Sequence, residues 1–275
     1  MDKRLAAGVG IAIGVILGVG GWYAWRMRTA PAPVVPARTV PLPPVAEAPA
    51  PPPPAAPAIQ HPVSPPAASA PAAATLDTAA LAELLGQKAV LSFLQTDAFV
   101  SRLVATVDNL PRPHAAPRLW PINPTPGRFG TEVGGDGELV AVRNAQRYAP
   151  FVRFVEGIDT PRAVALYRQH YARFQESYAD LGYPRGYFND RLVEVIDHLL
   201  ATPELTSTPR VRLTEVKGPQ PMTQPWLHYE YADPALESLS SGQKILIRMG
   251  PDNARRLKAK LAEFRRLVAA GAAAR

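Results

Sequence analysis

The sequence predicts an α+β fold that is mainly α-helical, with a single globular domain behind an N-terminal transmembrane helix. Three observations lead to this prediction. A long apolar run opens the chain, a proline- and alanine-rich stretch follows it, and beyond residue 76 apolar side chains recur every three or four positions. That spacing places them on one face of a helix. Only two pairs of short segments alternate like strands, which predicts one or two small antiparallel hairpins.

Residues 5–25 form the predicted membrane anchor, because these 21 residues contain neither charge nor proline. At about 1.5 Å per residue, a helix of this length spans roughly 31 Å, which matches the hydrocarbon core of a bilayer. Trp22, Tyr23 and Trp25 end the run with rings that favour the headgroup zone. The alternative is a cleaved signal peptide, which would end in small residues and not in aromatic side chains followed by arginines. A retained anchor is therefore favoured.

Small residues follow one face of this anchor at four-residue steps: Ala6, Gly10, Gly14 and Gly18. Such a ridge lets two helices approach closely within lipid, so it predicts a homodimer through the anchor. Glycine is also common in membrane helices that do not pair, and this second interpretation stays open.

The orientation of the anchor rests on weaker signals, since two basic residues lie on each of its flanks. The amino-terminal flank is only four residues long, and no lysine or arginine occurs between Arg38 and Lys88. A segment of low charge is easily exported. We therefore expect a single-pass protein of the bacterial inner membrane whose globular domain faces the periplasm.

Residues 29–75 hold 16 prolines in 47 positions. Proline lacks an amide donor and favours extended geometry, so this segment is predicted to be a disordered linker with a reach of at most about 145 Å. The predicted division is an anchor at residues 1–28, the linker at 29–75 and a mainly helical domain at 76–275.

Charge and cysteine content exclude several classes of site. The net charge is +7, but residues 76–251 hold 18 basic and 19 acidic side chains, so the basic excess lies at the two ends of the chain. A domain-wide basic surface is absent, and nucleic acid is not an expected partner. With no cysteine, the chain has no disulfide, thiolate metal site or cysteine nucleophile.

Periodicity and capping residues place the helices of the domain. Thr96, Thr160 and Asn189 are the predicted N-caps of three of them. The predicted helices cover residues 96–109, 144–155, 160–181, 190–201, 234–249 and 251–270.

Two hairpins complete the prediction. Residues 129–133 and 138–142 flank Gly134-Gly135-Asp136-Gly137, and residues 211–216 and 226–231 alternate in the same way. The glycines do not form a phosphate loop, because no GxxxxGK[ST] sequence is present and no helix start follows the turn.

Five short motifs occur in order along the domain. They are VATVDNLP at residues 104–111, FNDRLV at 188–193 with Asp197, LLATP at 199–203, SGQK at 241–244 and RMGP at 248–251. With these motifs the chain resembles a bacterial family classified as the domain of unknown function number three thousand and fourteen. The resemblance covers most of residues 85–270 and implies a single-pass membrane protein with a proline-rich linker. No activity is assigned to that family, so the resemblance implies no catalytic residue.

One helix face carries the best candidate for chemistry. Asp190, Glu194 and His198 are spaced four residues apart, and Arg191 lies beside them. A carboxylate–imidazole ridge could serve acid–base or metal-assisted hydrolysis. A solvated face or a capping network with a bridging arginine produces the same pattern. No histidine pair has zinc spacing, so neither a metal nor a cofactor is expected.

Two further groups are candidates for binding. Tyr167, Tyr171 and Tyr178 could line a groove for sugar or peptide, although a helical stripe of this kind is typical of core packing. The C-terminal helix could contact anionic lipid or nucleic acid, or could be a solvated face balanced by acidic neighbours. Its basic residues are Arg255, Arg256, Lys258, Lys260, Arg265 and Arg266.

These observations favour a membrane-anchored, exported binding or scaffolding domain that acts on an envelope protein or polymer. Two alternatives stay open. One is an envelope hydrolase that uses the Asp190, Glu194 and His198 face. The other is a cytoplasmic-facing domain that binds nucleic acid or anionic lipid through the basic helix.

Overall fold

The computed structural model describes residues 58–63, 76–135, 137–214 and 223–270. Within them the chain forms ten α-helices and one four-stranded antiparallel sheet, which confirms the mainly helical fold. The predicted anchor at residues 5–25, its glycine ridge and most of the predicted linker lie outside these residues. In the part that is described, none of the helices has both the length and the hydropathy needed to cross a membrane.

The elements are numbered in chain order. The helices are α1 (Thr78–Leu85), α2 (Gln87–Phe93), α3 (Phe99–Asn109), α4 (Arg143–Glu156), α5 (Thr160–Gln169), α6 (Tyr171–Asp180), α7 (Phe188–Leu200), α8 (Pro234–Glu237), α9 (Ser241–Arg248) and α10 (Pro251–Ala269). The strands are β1 (Thr131–Gly134), β2 (Gly137–Val140), β3 (Arg210–Leu213) and β4 (Tyr229–Tyr231). Short 3₁₀ turns lie at Pro117–Leu119 and Pro225–Leu227.

Helix α10 is the longest helix described, and it packs against α4, α5 and α7. It begins with Pro251, at a position where the missing amide costs no helical hydrogen bond. Leu257 and Val268 are buried in the main core. The side chain of Asn253 is also buried, and its Nδ2 donates to the carbonyl of Ala145 at 2.8 Å. The predicted helix at 251–270 is therefore confirmed, and it joins the other helices of the core.

Helix α7 lies in the same core, where Phe188 and Val193 are almost completely buried. The helix begins two residues before the predicted start, because Oε1 of Gln175 accepts the backbone N–H of Phe188 at 2.9 Å. The predicted N-cap Asn189 is wrong. Its side chain lies inside the protein, fully buried, and Tyr187 occupies the cap position.

The predicted helix at 160–181 is two helices, α5 and α6. They are separated at His170, whose φ of −103° and ψ of 12° are not helical. The predicted cap at Thr160 is also wrong by one residue, because the Asp159 carboxylate accepts the N–H of Arg162 at 2.9 Å. An aspartate caps at least as well as threonine, which explains the earlier start.

Two other helix predictions are wrong because the pattern of apolar residues does not show where a helix begins. The predicted helix at 234–249 is divided into α8 and α9, because Ser240 and Gln243 form a capping box that opens α9. The helix predicted from Thr96 begins instead at Phe99, because Ala98 adopts a left-handed φ of 49°.

Both predicted hairpins form, and they join into one sheet. Strand order is β1-β2-β3-β4, with β2 pairing to β3 at Leu139 and Arg210. Val140 of β2, Val211 of β3 and Tyr231 of β4 pack together in a second, smaller core. The β2–β3 pairing unites segments that are far apart in the chain, which explains why local alternation gave two hairpins and not one sheet.

Glu237 ties the sheet to the helices. Its Oε2 accepts the backbone N–H of Tyr231 at 2.8 Å, and its Oε1 accepts the ammonium of Lys244 at 2.7 Å. Burial raises the pKa of this carboxyl, but the hydrogen bonds from Lys244 and Tyr231 outweigh it, so the pKa lies below its ordinary 4.5.

A depressed carboxyl pKa stabilises the fold above the unfolded value and ceases to do so as the pH falls through the folded value. We expect the free energy of unfolding to decline once the pH falls below about 4.5. Glu237→Gln should be less stable than the wild type at pH 7 and should decline less on acidification. Urea unfolding monitored by circular dichroism between pH 7 and pH 3 measures both slopes; parallel curves would contradict this role of Glu237.

Candidate functional site

Asp108 is a buried carboxylate on α3 that the sequence pattern does not single out, and it faces α7. Its side chain is 5% exposed, and its Oδ1 accepts Nε of Arg191 at 3.1 Å. Its Oδ2 accepts Nη2 of Arg112 at 2.5 Å and the hydroxyl of Tyr183 at 3.3 Å. A second guanidinium nitrogen of Arg191 donates to the backbone carbonyl of Asp108. We call Asp108, Arg112, Tyr183, Arg191 and Glu194 the Asp108 network.

Glu194 extends this network to the surface. Its Oε1 lies 3.0 Å from Nη1 of Arg191, although the Glu194 side chain is 69% exposed. Desolvation lowers the pKa of Arg191, but the hydrogen bond with Glu194 and the charges of Glu194 and Asp108 outweigh it, so the net direction is upward. The arginine is thus held charged between one buried and one exposed carboxylate.

The Asp190, Glu194 and His198 ridge does not converge on a common point. Asp190 binds the backbone of residues 60 and 61, Glu194 binds Arg191, and Nε2 of His198 lies 2.8 Å from Oγ of Ser240. The Ser240 hydroxyl is buried and already caps α9, so its pairing with His198 is explained by packing. Asp197, beside them, pairs with Arg265. Among the described residues, no cluster of histidines and carboxylates could hold a metal ion.

The tyrosines are placed mainly in the core. Tyr167 and Tyr178 belong to the main core and are less than one-tenth exposed. Burial raises the pKa of Tyr167 and of Tyr171 far above the ordinary range, so both remain neutral. The half-buried Tyr171 donates to Oε1 of Gln175 at 3.0 Å and stacks obliquely on Tyr187. These rings pack the helices and do not line an open groove together.

Three residues at the start of α7 hold residues 58–63, which lie within the predicted linker. Asp190 accepts the backbone N–H groups of Gln60 and His61, at 3.0 and 2.7 Å. The hydroxyl of Tyr187 accepts the N–H of Val63 at 2.8 Å, and Nδ2 of Asn189 donates to the carbonyl of His61 at 2.8 Å. We call Tyr187, Asn189 and Asp190 the α7 clamp.

Most of the basic residues of α10 are paired within the domain. The hydrogen bond from Arg256 holds the pKa of Glu156 below its ordinary value. Lys260 also donates to the backbone carbonyl of Ile158. This balance favours the interpretation of a solvated, ion-paired face, with Arg266 exposed at its end. The pairs are Arg255 with Asp252, Arg256 with Glu156, Lys258 with Glu204, Lys260 with Glu263, and Arg265 with Asp197.

A cleft of about 400 Å³ lies where the end of β2, the α9–α10 junction and the loop at residues 202–209 meet. We call it the 202–209 cleft. Its lining is mostly apolar and includes Val140, Val142 and Ile247, with Arg255 and Lys258 among the charged residues. Two of the motifs, at residues 199–203 and 248–251, supply part of the wall. Val142 is 68% exposed, which leaves an apolar surface open to a ligand.

The cleft is not evident in the sequence, because its walls come from segments far apart in the chain. The motifs at 199–203 and 248–251 were the available signal, but neither contains a reactive side chain pattern.

The profile of a family described as "Protein of unknown function (DUF3014)" matches residues 99–265, which is more than half of the chain. The matched region contains the Asp108 network, the α7 clamp and the 202–209 cleft. No curated protein and no solved structure matches the chain.

Proposed function

We propose that this chain, which belongs to the family of unknown function that matches residues 99–265, is a membrane-anchored binding domain of the bacterial cell envelope. In this proposal residues 5–25 form a single inner-membrane span, and Gly10, Gly14 and Gly18 pair two copies. The domain is exported to the periplasm and binds an envelope protein or polymer in the 202–209 cleft, without a cofactor.

The cleft is the observation that carries the proposal. Its volume of about 400 Å³ lies within the usual range for ligand sites, roughly 300–1,000 Å³. An apolar lining supplies affinity by releasing water, while a few polar groups set orientation. Three cations line this site: Arg255 and Lys258 each have an acidic partner, and Arg248 donates to the backbone carbonyl of Tyr229. The chemistry therefore favours an apolar group on the ligand.

The contacts of the titratable groups support binding over catalysis. A general acid or base must reach the reacting atom of a bound substrate. Asp190, Glu194 and His198 instead face three different partners, which are a backbone segment, an arginine and a capping serine. Each contact is explained by structural stability.

The cleft can be tested with two exposed valines. Val142 lines the cleft, whereas Val133 is 92% exposed on β1 and is not among its lining residues. We expect Val142→Asp to reduce crosslinked partner recovery from intact cells by about tenfold or more, because a carboxylate is costly to bury in an apolar contact. Val133→Asp is the matched control and should retain the partner. Equal recovery with both variants, or no enrichment over an anchor-and-linker control, would contradict the proposal.

Orientation is tested separately. Alkaline phosphatase fused after Arg275 is active only outside the cytoplasm, so the proposal predicts an active fusion. An inactive fusion with intact full-length protein would place the domain on the cytoplasmic side.

A further inference from the structure

The α7 clamp satisfies the backbone of a segment that cannot form ordinary secondary structure. Between residues 60 and 63 the chain has only three amide donors, because Pro62 has none. All three donate to side chains of the clamp, two to Asp190 and one to Tyr187. The carbonyl of His61 accepts from Asn189. The clamp therefore recognises main chain, with donors and acceptors at matching positions.

The clamp is held in place independently of the segment. Asn189 is completely buried; its Oδ1 accepts the hydroxyl of Tyr167 at 3.0 Å, and its Nδ2 also donates to the carbonyl of Val268 at 3.2 Å. The ring of Tyr187 packs on Tyr171, at 5.4 Å between centroids. Groups that are already fixed lose little entropy when they bind a peptide.

The side chains of the segment indicate what kind of peptide fits. Val63 packs against the main core, which is an apolar anchor. Ile59 is 53% exposed and Gln60 is exposed, so binding to the clamp does not depend on the side chains at these two positions. The proline after His61 restricts that residue to extended backbone, which prepares the segment for the clamp. The preferred ligand is thus an extended peptide with proline one position before an aliphatic residue.

We propose that the α7 clamp is a peptide-binding site whose resident ligand is the chain's own linker at residues 58–63. The linker is then attached to the domain at residue 58 and not at residue 76. The free linker shortens from the 47 residues of 29–75 to the 29 residues of 29–57, which lowers its maximum reach from about 145 Å to about 90 Å. Release of the segment extends the reach by about 55 Å. This proposal does not depend on what occupies the 202–209 cleft.

The first test measures hydrogen exchange in the full chain in detergent micelles. The amides of Gln60, His61 and Val63 should exchange at least about tenfold more slowly than in an unstructured peptide. Asp190→Ala should return the amides of Gln60 and His61 to the unstructured rate. Asp197→Ala, on the same helix and paired with Arg265, is the matched control and should leave them protected. Protection within α10 reports that both variants fold.

Unprotected amides in the wild-type chain, or protection that survives Asp190→Ala, would overturn the proposal.

The second test asks whether the clamp binds a peptide in trans. A full-length variant in which residues 58–63 are deleted leaves the clamp open. A fluorescent peptide of residues 57–64 should bind the open clamp with a dissociation constant below about 1 mM. This limit is the effective concentration that a short flexible linker gives its own segment. Adding Asp190→Ala should weaken binding at least about tenfold, because two hydrogen bonds to a carboxylate are lost. No saturable binding, or equal binding with and without Asp190→Ala, would overturn the site.

Discussion

Replacing Asp108 with asparagine is expected to lower the free energy of unfolding by about 3–5 kcal/mol. The Asp108 side chain is 5% exposed and the Arg191 side chain 20% exposed, so little water can replace the lost charge. An asparagine side chain at this position would be neutral and would leave Arg191 in a partly desolvated site without its buried carboxylate partner. The cost arises as much from Arg191, which would keep only the exposed Glu194 as an acidic partner, as from the lost pair. Urea unfolding of the full chain in detergent, followed by tryptophan fluorescence and circular dichroism, measures the change.

The matched control is Asp197→Asn, since Asp197 lies on α7 and also pairs with an arginine. Its side chain is 46% exposed and that of Arg265 is 36% exposed. Exposed ion pairs contribute about 0–1 kcal/mol, so this variant should remain within about 1 kcal/mol of the wild type. If Asp108→Asn were no more destabilising than Asp197→Asn, the Asp108 network would not hold α3 and α7 together.

Where the sequence pattern was local, it predicted the fold well. The apolar spacing of α10 and the alternation around residues 134–137 depend on neighbours within a few positions, and both elements form as predicted. The wrong predictions occur where one helix ends and the next begins. His170 interrupts an aromatic stripe that continues on both sides of it, and the capping box at Ser240 lies inside an apparently continuous helix. Periodicity alone does not register a change of direction between two helices with similar patterns.

The candidate site was harder to predict because its partners are distant in the chain. Asp190, Glu194 and His198 were grouped by their shared helix face, but each contacts a different segment of the protein. A signal for Asp108 was present, since it is a carboxylate on the apolar stripe of α3. A signal for the docked segment was present too: Ile59, Gln60 and His61 interrupt the proline and alanine composition of the linker. Neither signal indicates which residues Asp108 or the docked segment contacts, because those residues are brought close only in the folded protein.

Asn189→Leu is expected to lower the free energy of unfolding by about 2–4 kcal/mol, because leucine fills a similar volume but makes no hydrogen bond. The hydroxyl of Tyr167 and the carbonyl of Val268 would then remain buried without this partner. A buried polar group left unsatisfied costs about 1–3 kcal/mol, so the two together account for the expected loss. The same variant removes the donor to the carbonyl of His61, which weakens the docked segment. Urea unfolding measures the first effect, and hydrogen exchange at residues 60–63 measures the second.

Comparison with Asp190→Ala separates the two effects, because Asp190 contacts the docked segment whereas Asn189 contacts both the segment and the core. Asp190→Ala should release the segment and lower the free energy of unfolding by less than Asn189→Leu does, since no buried polar group of the core loses a partner. Asn189→Leu should both weaken the docking of residues 58–63 and destabilise the core. If Asn189→Leu unfolds within about 0.5 kcal/mol of the wild type, its buried hydrogen bonds do not fix the clamp. The recognition of residues 58–63 would then depend on Asp190 and Tyr187 without a rigid support beneath them.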